Sequence, residues 1–113
     1  MPADIPTVTV DQLPAEHVLL DVREDVEWQG GRAPGAIHVP MNQVPQRIAY
    51  DPGPLTPDTT IVVTCKVGGR SAQVTAWLRQ QGFDAVNLEG GMLAWQAAGR
   101  PMEADGGATP DVV

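Results

Sequence analysis

The segment TIVVTCKVGGRS, residues 60–71, contains a run of β-branched residues that ends at Cys65, the only cysteine of the chain. Its first five residues, Thr60 to Thr64, form the clearest strand pattern in the sequence. From Ser71 onward apolar residues fall at helical spacing, and Gly82 supplies a stop, so we predict a helix over 71–81. The segment therefore predicts a strand, a loop with paired glycines and a helix in direct succession.

Strand and helix patterns alternate along the rest of the chain. The other predicted strands cover 7–10, 18–22, 37–39 and 85–88, and the other predicted helices cover 24–29, 42–50 and 92–98. We also expect a short helical turn capped by Asp11, and a weakened helix at Pro45. This alternation predicts an α/β fold with a mainly parallel five-stranded sheet and helices on both faces. Ligands in such folds bind beyond the carboxyl ends of the strands, where Cys65 stands.

Length and composition limit the class of protein. The 113 residues suit one domain, which we place at 1–104, followed by a flexible tail at 105–113. A formal net charge of −7 argues against nucleic acid or an anionic membrane as the main partner. A lone cysteine fits a reducing compartment. We expect no membrane span, because no apolar run is long enough, and no leader, because Met1–Asp4 lacks a basic start and an apolar stretch. We expect a cytoplasmic protein that is a monomer or a weak dimer.

The surroundings of Cys65 favour a reactive thiolate. An ordinary thiol, with a pKa of about 8.5, is mostly protonated at neutral pH. Loop amides, the positive end of the following helix dipole, and the side chains of Lys66 and Arg70 would all lower that pKa. Gly68 and Gly69 let the backbone approach an anion closely. The alternative interpretation is a buried structural cysteine followed by an ordinary turn.

Three segments in order resemble the rhodanese family of sulfurtransferases. Cys65 to Ser71 matches its C-x-x-G-x-R-S loop. The first signature of the family is similar to LDVRE at 20–24 with Glu27, Trp28 and Gly30, followed by PGAIHVP at 34–40. The family's ending is similar to GFDAVNLEGG at 82–91 with Trp95, Gly99 and Pro101. The resemblance extends from about Val18 to Pro101, which is most of the chain.

The resemblance implies a rhodanese-like fold and a sulfurtransferase that needs no cofactor or metal. Cys65 would take the outer sulfur of thiosulfate or of a persulfide donor and pass it to a thiophile such as cyanide, a thiol or an acceptor protein. The amides of Lys66, Val67, Gly68, Gly69 and Arg70 would surround that sulfur. Arg70 would tie the end of the loop. The Lys66 side chain would either attract a sulfonate or point into solvent.

Two positions depart from the family pattern, and several polar residues have a structural interpretation. Arg32 replaces the usual histidine, and Thr64 stands where an aromatic residue is common. We interpret Asp21, Arg23 and Glu27 as an ion-pair network that braces the loops rather than as an acid–base cluster. His17 and His38 lack the spacing of metal ligands. The tryptophans fit helix patterns and the core, and Trp28 is also a candidate for the pocket wall.

Other functions of the same fold remain open. Related phosphatases have five residues between the cysteine and the arginine of the loop, whereas this chain has four. Arsenate reduction is disfavoured because the chain has no second, resolving cysteine. A non-catalytic module would bind proteins, although such modules often lose the cysteine. A sulfur-relay domain, whose acceptor is another protein, forms the same persulfide and is not distinguished from a small-molecule enzyme.

Overall fold

The fold is a five-stranded parallel sheet, described by a computed structural model over residues 5–113. In chain order the strands are β1 (Thr7–Val8), β2 (Val18–Asp21), β3 (Ile37–His38), β4 (Ile61–Thr64) and β5 (Ala85–Leu88). Their order across the sheet is β1-β5-β4-β2-β3, and every pair is parallel. The predicted α/β class and five-stranded parallel sheet are confirmed. Residues 1–4, on which the expectation about a leader depends, lie outside the described part.

Helices cover both faces of the sheet, as predicted. They are α1 (Asp25–Gly30), α2 (Val44–Tyr50), α3 (Gly69–Gln80) and α4 (Gly91–Ala97), with short 3-10 turns at Val10–Gln12, Met41–Gln43 and Asp105–Gly107. Leu20 and Val63 face the side covered by α2 and α3, whereas Leu19 and Val62 face the side covered by α4. This alternation within fully buried strands explains their nearly continuous apolar sequences.

Several boundaries differ from the prediction for local reasons. β1 is shorter than predicted because the first 3-10 turn is capped by Thr9 and not by Asp11. The Thr9 N–H donates a hydrogen bond to the side-chain oxygen of Gln12. Pro45 does not weaken α2, because it occupies the first turn, where a backbone N–H has no intrahelical partner. α3 begins at Gly69 rather than Ser71, since Gly68 is its N-cap and the Gly68 carbonyl accepts the Ala72 N–H at 3.1 Å.

The C-terminal segment, predicted to be flexible, makes specific contacts that the sequence did not reveal. The Asp111 N–H donates to the Gly30 carbonyl at 2.9 Å, and the Val112 side chain is buried on the α4 face of the sheet. Arg32 pairs with Glu103 and with Asp105, the latter at 2.7 Å. These contacts join the end of the chain to the end of α1.

No helix within residues 5–113 combines the length and the apolar character that crossing a bilayer requires.

Candidate active site

Cys65 follows β4 directly, at the carboxyl edge of the sheet, and its sulfur accepts hydrogen bonds from the loop. The Gly68 N–H lies 3.1 Å from Cys65 Sγ, and the Ser71 hydroxyl lies 3.3 Å from the same atom. The residue as a whole is only 1% exposed. The thiol is therefore recessed at the edge of the core cluster on the α2 and α3 side of the sheet, but two donors of the loop reach its sulfur.

Burial and these donors act in opposite directions on the pKa of the thiol. Burial has the largest single influence and raises the pKa of Cys65, because it penalises the charged form. Hydrogen bonds from the Ser71 hydroxyl and from the N–H groups of Ser71, Gly68 and Val67 act together in the opposite direction. Their sum prevails, and the pKa of Cys65 is lowered. The arrangement thus favours a thiolate, which is the nucleophilic form of cysteine.

The start of α3 supplies two of these donors. Gly68 adopts a left-handed conformation, with φ of 110°, and allows the chain to turn from the loop into the helix. Ser71 then falls within the first turn of α3, where N–H groups have no intrahelical acceptor and are free to bind an anion. Ser71 belongs to the C-x-x-G-x-R-S motif, but no feature of the sequence marks it as a ligand of the sulfur.

The loop rests on the beginning of α4. The N–H groups of Met92 and Leu93 donate to the carbonyls of Cys65 and Lys66, at 2.8 and 3.1 Å. Gly91 adopts φ of 56°, and a Cβ added there would lie 2.7 Å from the Lys66 carbonyl oxygen and closer still to that of Cys65. Only glycine permits this approach of the two segments. The pair Gly90 and Gly91 was noted in sequence only as part of a motif.

Arg70 ties the loop to α1 rather than facing the sulfur with a free charge. Its guanidinium donates to both carboxylate oxygens of Glu27, at 2.7 and 2.9 Å. The hydrogen bond from Arg70 is the main reason that the pKa of Glu27 falls from 4.5 to about 2. The same pairing raises the pKa of Arg70, as does the nearby Cys65 thiolate more weakly. Glu27 thus supports the loop, as predicted for an ion-pair network, but the sequence did not identify Arg70 as its partner.

A second ion pair braces the segment that carries Glu27. The guanidinium of Arg23 contacts Asp21 at 2.7 Å with both side chains fully buried, and it also donates to the Gly31 carbonyl at 2.8 Å. The Glu27 side chain further accepts the Glu24 N–H at the start of α1. Asp21, Arg23 and Glu27 are therefore engaged in ion pairs, as the sequence analysis interpreted them.

Lys66, Val67 and Gly69 form the outer part of the loop. Lys66 is half-buried and makes no ion pair with any residue from 5 to 113. The Val67 side chain is 61% exposed, although its N–H helps to lower the pKa of the thiol. Gly69 is exposed at the first position of α3. Among the described residues, no cluster of three or more histidine, cysteine or carboxylate side chains is arranged to hold a metal ion.

Comparison with known proteins identifies the family of this chain. The model of the rhodanese-like domain matches residues 8–98, which is most of the chain. The chain belongs to the rhodanese-like family. A relative from Allochromatium vinosum named sulfurtransferase is 38% identical over 91 residues, which cover 80% of this chain and 81% of the relative. The thiosulfate sulfurtransferase GlpE of Actinobacillus succinogenes is 36% identical, with 88% of each chain covered.

Solved structures agree with the rhodanese-like fold. A rhodanese-related protein from Thermoplasma volcanium superposes with a TM-score of 0.77 at 28% sequence identity, covering 86% of this chain and 96% of that one. The shared fold therefore extends over most of both chains.

The two residues that depart from the family pattern, Arg32 and Thr64, both make specific contacts. The Arg32 guanidinium lies 5.0 Å from the Trp28 ring centroid and bonds the Trp28 carbonyl at 3.1 Å, in addition to its pairs with the C-terminal segment. Thr64 is buried, and its hydroxyl donates to the Cys65 carbonyl at 3.3 Å. Trp28 stacks on His38, with ring centroids 4.6 Å apart. Trp28 therefore contacts His38 through its ring and Arg32 through both its ring and its carbonyl.

Proposed function

We propose that this rhodanese-like protein is a sulfurtransferase in which Cys65 carries a sulfane sulfur as a persulfide. The observation that carries the proposal is the convergence of the Gly68 N–H and the Ser71 hydroxyl on Cys65 Sγ. The outer sulfur of a persulfide also carries negative charge. We expect the remaining backbone amides from Lys66 to Arg70 to stabilise that charge. A thiolate held by preorganised donors needs little rearrangement when charge moves outward by one sulfur atom.

The reaction consists of two displacements at sulfur. In the first, the Cys65 thiolate attacks the outer sulfur of thiosulfate, the sulfur–sulfur bond of the donor breaks, and sulfite leaves with the electron pair. In the second, a thiophile such as cyanide attacks the outer sulfur of the persulfide, thiocyanate forms, and the Cys65 thiolate is restored. Neither step needs an external oxidant, reductant or metal. The name of the GlpE relative supports thiosulfate as the donor.

The arrangement of Arg70 disfavours phosphate-ester chemistry. A phosphoryl group would need the charge of Arg70 for its oxygens, but it would have to compete with the Glu27 carboxylate, which already accepts hydrogen bonds from both Nη atoms of Arg70. The loop also has one residue fewer between cysteine and arginine than the related phosphatases. Single-atom transfer fits this shorter loop better. Arsenate reduction would need a second cysteine, which the sequence lacks.

A protein acceptor is the second candidate within the same chemistry. Val67 exposes its apolar side chain beside the recessed thiol, and an apolar groove of about 740 Å³ reaches the loop at Gly68 and Gly69. Ile5 and Trp77 also line this groove. Such a surface suits an acceptor protein that brings a thiol to the loop, and the lone cysteine suits the reducing conditions of the cytoplasm.

Intact-protein mass spectrometry after incubation with thiosulfate tests the proposal. We expect the mass of one additional sulfur atom, lost again on treatment with cyanide as thiocyanate appears. Cys65→Ser must lose both signals while retaining its thermal unfolding transition. Turnover retained by Cys65→Ser, or a wild-type protein that gains no sulfur from thiosulfate or from a low-molecular-weight persulfide, would contradict the proposal.

A further inference from the structure

Asn87 is a buried polar residue on β5 that takes no part in the two displacement steps described above. It is 8% exposed, and its neighbours Ala85 and Leu88 on the same strand are fully buried. Its side-chain amide donates to the Gly68 carbonyl at 3.2 Å. Because a carbonyl can only accept, the atom that faces Gly68 must be the nitrogen of the amide.

The other half of this amide is not satisfied within the protein. Asn87 Oδ1 is buried and has no hydrogen-bond partner among residues 5–113. A buried acceptor without a donor lowers stability, and an apolar side chain of similar size would avoid that cost. A purely structural position on this strand would therefore be better occupied by leucine. The retained amide points to a function for its N–H.

That N–H holds a residue whose backbone faces the sulfur. Gly68 has φ of 110° and ψ of −7°, and its own N–H donates to Cys65 Sγ at 3.1 Å. On its carbonyl side, Gly68 is held by Asn87 and by the Ala72 N–H, at 3.2 and 3.1 Å. A glycine that is free to rotate would lose the orientation of its N–H, because it lacks the steric restraint of a side chain. Asn87 thus joins the rigid sheet to the most mobile residue type in the loop.

We propose that Asn87 is a positioning residue of the sulfur-carrying loop: its side-chain N–H fixes the Gly68 backbone so that the Gly68 N–H points at Cys65 Sγ. The inference rests on the proposed persulfide chemistry and extends it to a residue of a different strand. Asn87 does not touch the sulfur, and it acts only through Gly68.

The test is Asn87→Leu, which removes the donor and also removes the unsatisfied oxygen. We expect urea unfolding to show unchanged or increased stability. We expect the Cys65 alkylation rate to reach its midpoint at a higher pH, and persulfide formation at pH 7 to slow by about 3- to 10-fold, the worth of one loop hydrogen bond. Val86→Ala, at the half-buried neighbouring position, is the control and must change neither the midpoint nor the rate.

The outcomes separate this inference from the proposed function. An unchanged alkylation midpoint and rate in Asn87→Leu would overturn the inference, as would a loss of activity that only parallels a loss of stability. If Asn87→Leu does not fold, Asn87→Ser, whose shorter side chain cannot reach the Gly68 carbonyl, is measured in the same way. If wild-type protein forms no persulfide, the proposed function fails, whereas the alkylation profiles still decide whether Asn87 orients the loop.

Discussion

The Arg70 guanidinium and the Glu27 carboxylate, 43 residues apart in sequence, meet through two hydrogen bonds of 2.7 and 2.9 Å. Arg70 lies in the first turn of α3, and Glu27 lies in α1. The pair therefore joins the loop that follows Cys65 to the helix that follows the neighbouring strand β2. Since Glu27 also receives the Glu24 N–H at the start of α1, one side chain caps its own helix and anchors the loop.

This pairing predicts a pH dependence of stability. The pKa of Glu27 is lowered from 4.5 to about 2 in the folded protein, so between these pH values the unfolded chain binds more protons than the folded chain. The stabilisation is fully present above pH 4.5 and is lost as the pH falls towards 2. Glu27→Gln should lose stability at pH 7 and show a weaker decline across this window. Urea unfolding at a series of pH values measures both effects.

The control for this prediction is Glu16→Gln, since Glu16 is exposed and outside the ion pairs formed within residues 5–113. It should follow the wild-type decline. Parallel profiles for wild type and Glu27→Gln between pH 4.5 and 2 would show that the pair does not contribute to folding stability in this way.

Removal of the Ser71 hydroxyl should raise the pKa of the thiol. Ser71→Ala deletes the hydroxyl that lies 3.3 Å from Cys65 Sγ, while burial continues to oppose the thiolate. We expect the midpoint of iodoacetamide alkylation to move to higher pH by about one unit, the worth of one hydrogen bond to a charged group. The wild-type midpoint should lie below that of an unperturbed thiol, because the loop donors lower the pKa of Cys65.

Thr75→Ala is the matched control on the same helix. The Thr75 hydroxyl is also buried, but it donates to the Ser71 carbonyl at 2.8 Å and not to the sulfur. Its alkylation midpoint should equal that of wild type. Equal midpoints for Ser71→Ala and Thr75→Ala would mean that the hydroxyl contact does not stabilise the thiolate.

Gly91→Ala should displace the backbone of the loop at Cys65 and Lys66 and lower the stability of the protein. The new methyl group would meet the carbonyls of Cys65 and Lys66, and φ of 56° is unfavourable for alanine in addition. Gly99→Ala separates the two effects, because Gly99 has φ of 71° and no heavy atom lies within 4 Å of an added Cβ. We expect Gly99→Ala to lose about 1–2 kcal/mol of unfolding free energy and Gly91→Ala clearly more. Only Gly91→Ala should slow persulfide formation, and equal losses in both assays would refute the steric argument.

The C-terminal contacts predict that substitutions of Val112 and Val113 change the free energy of unfolding by different amounts. Val112 is buried at 9% exposure, whereas Val113 is 54% exposed. Val112→Ser should lower the free energy of unfolding by about 1–2 kcal/mol, because buried apolar area returns to water. Val113→Ser should be neutral within error. If urea unfolding finds the two variants equally stable, the segment does not pack on the sheet in solution and behaves as the flexible tail that the sequence suggested.

Much of the architecture could be predicted because its signals are local. The β-branched residues from Ile61 to Thr64 predict a buried strand, and the period of the residues after Ser71 predicts a helix. With Cys65 between them, the rule for parallel sheets is sufficient to place the thiol at the carboxyl edge. Element boundaries depend on more than local pattern. Pro45, for example, is compatible with two opposite effects on a helix, and the choice depends on its position relative to the first turn.

The sequence by itself determined the strand, loop and helix around Cys65, because spacing and residue type within a few positions control those conformations. Only the tertiary structure decided what supports the loop: Glu27 beside Arg70, Gly91 beneath the Cys65 carbonyl, and Asn87 against Gly68. Each of these contacts joins residues brought together by the order of strands in the sheet. No local pattern records that order, since it results from the burial of all five strands at once.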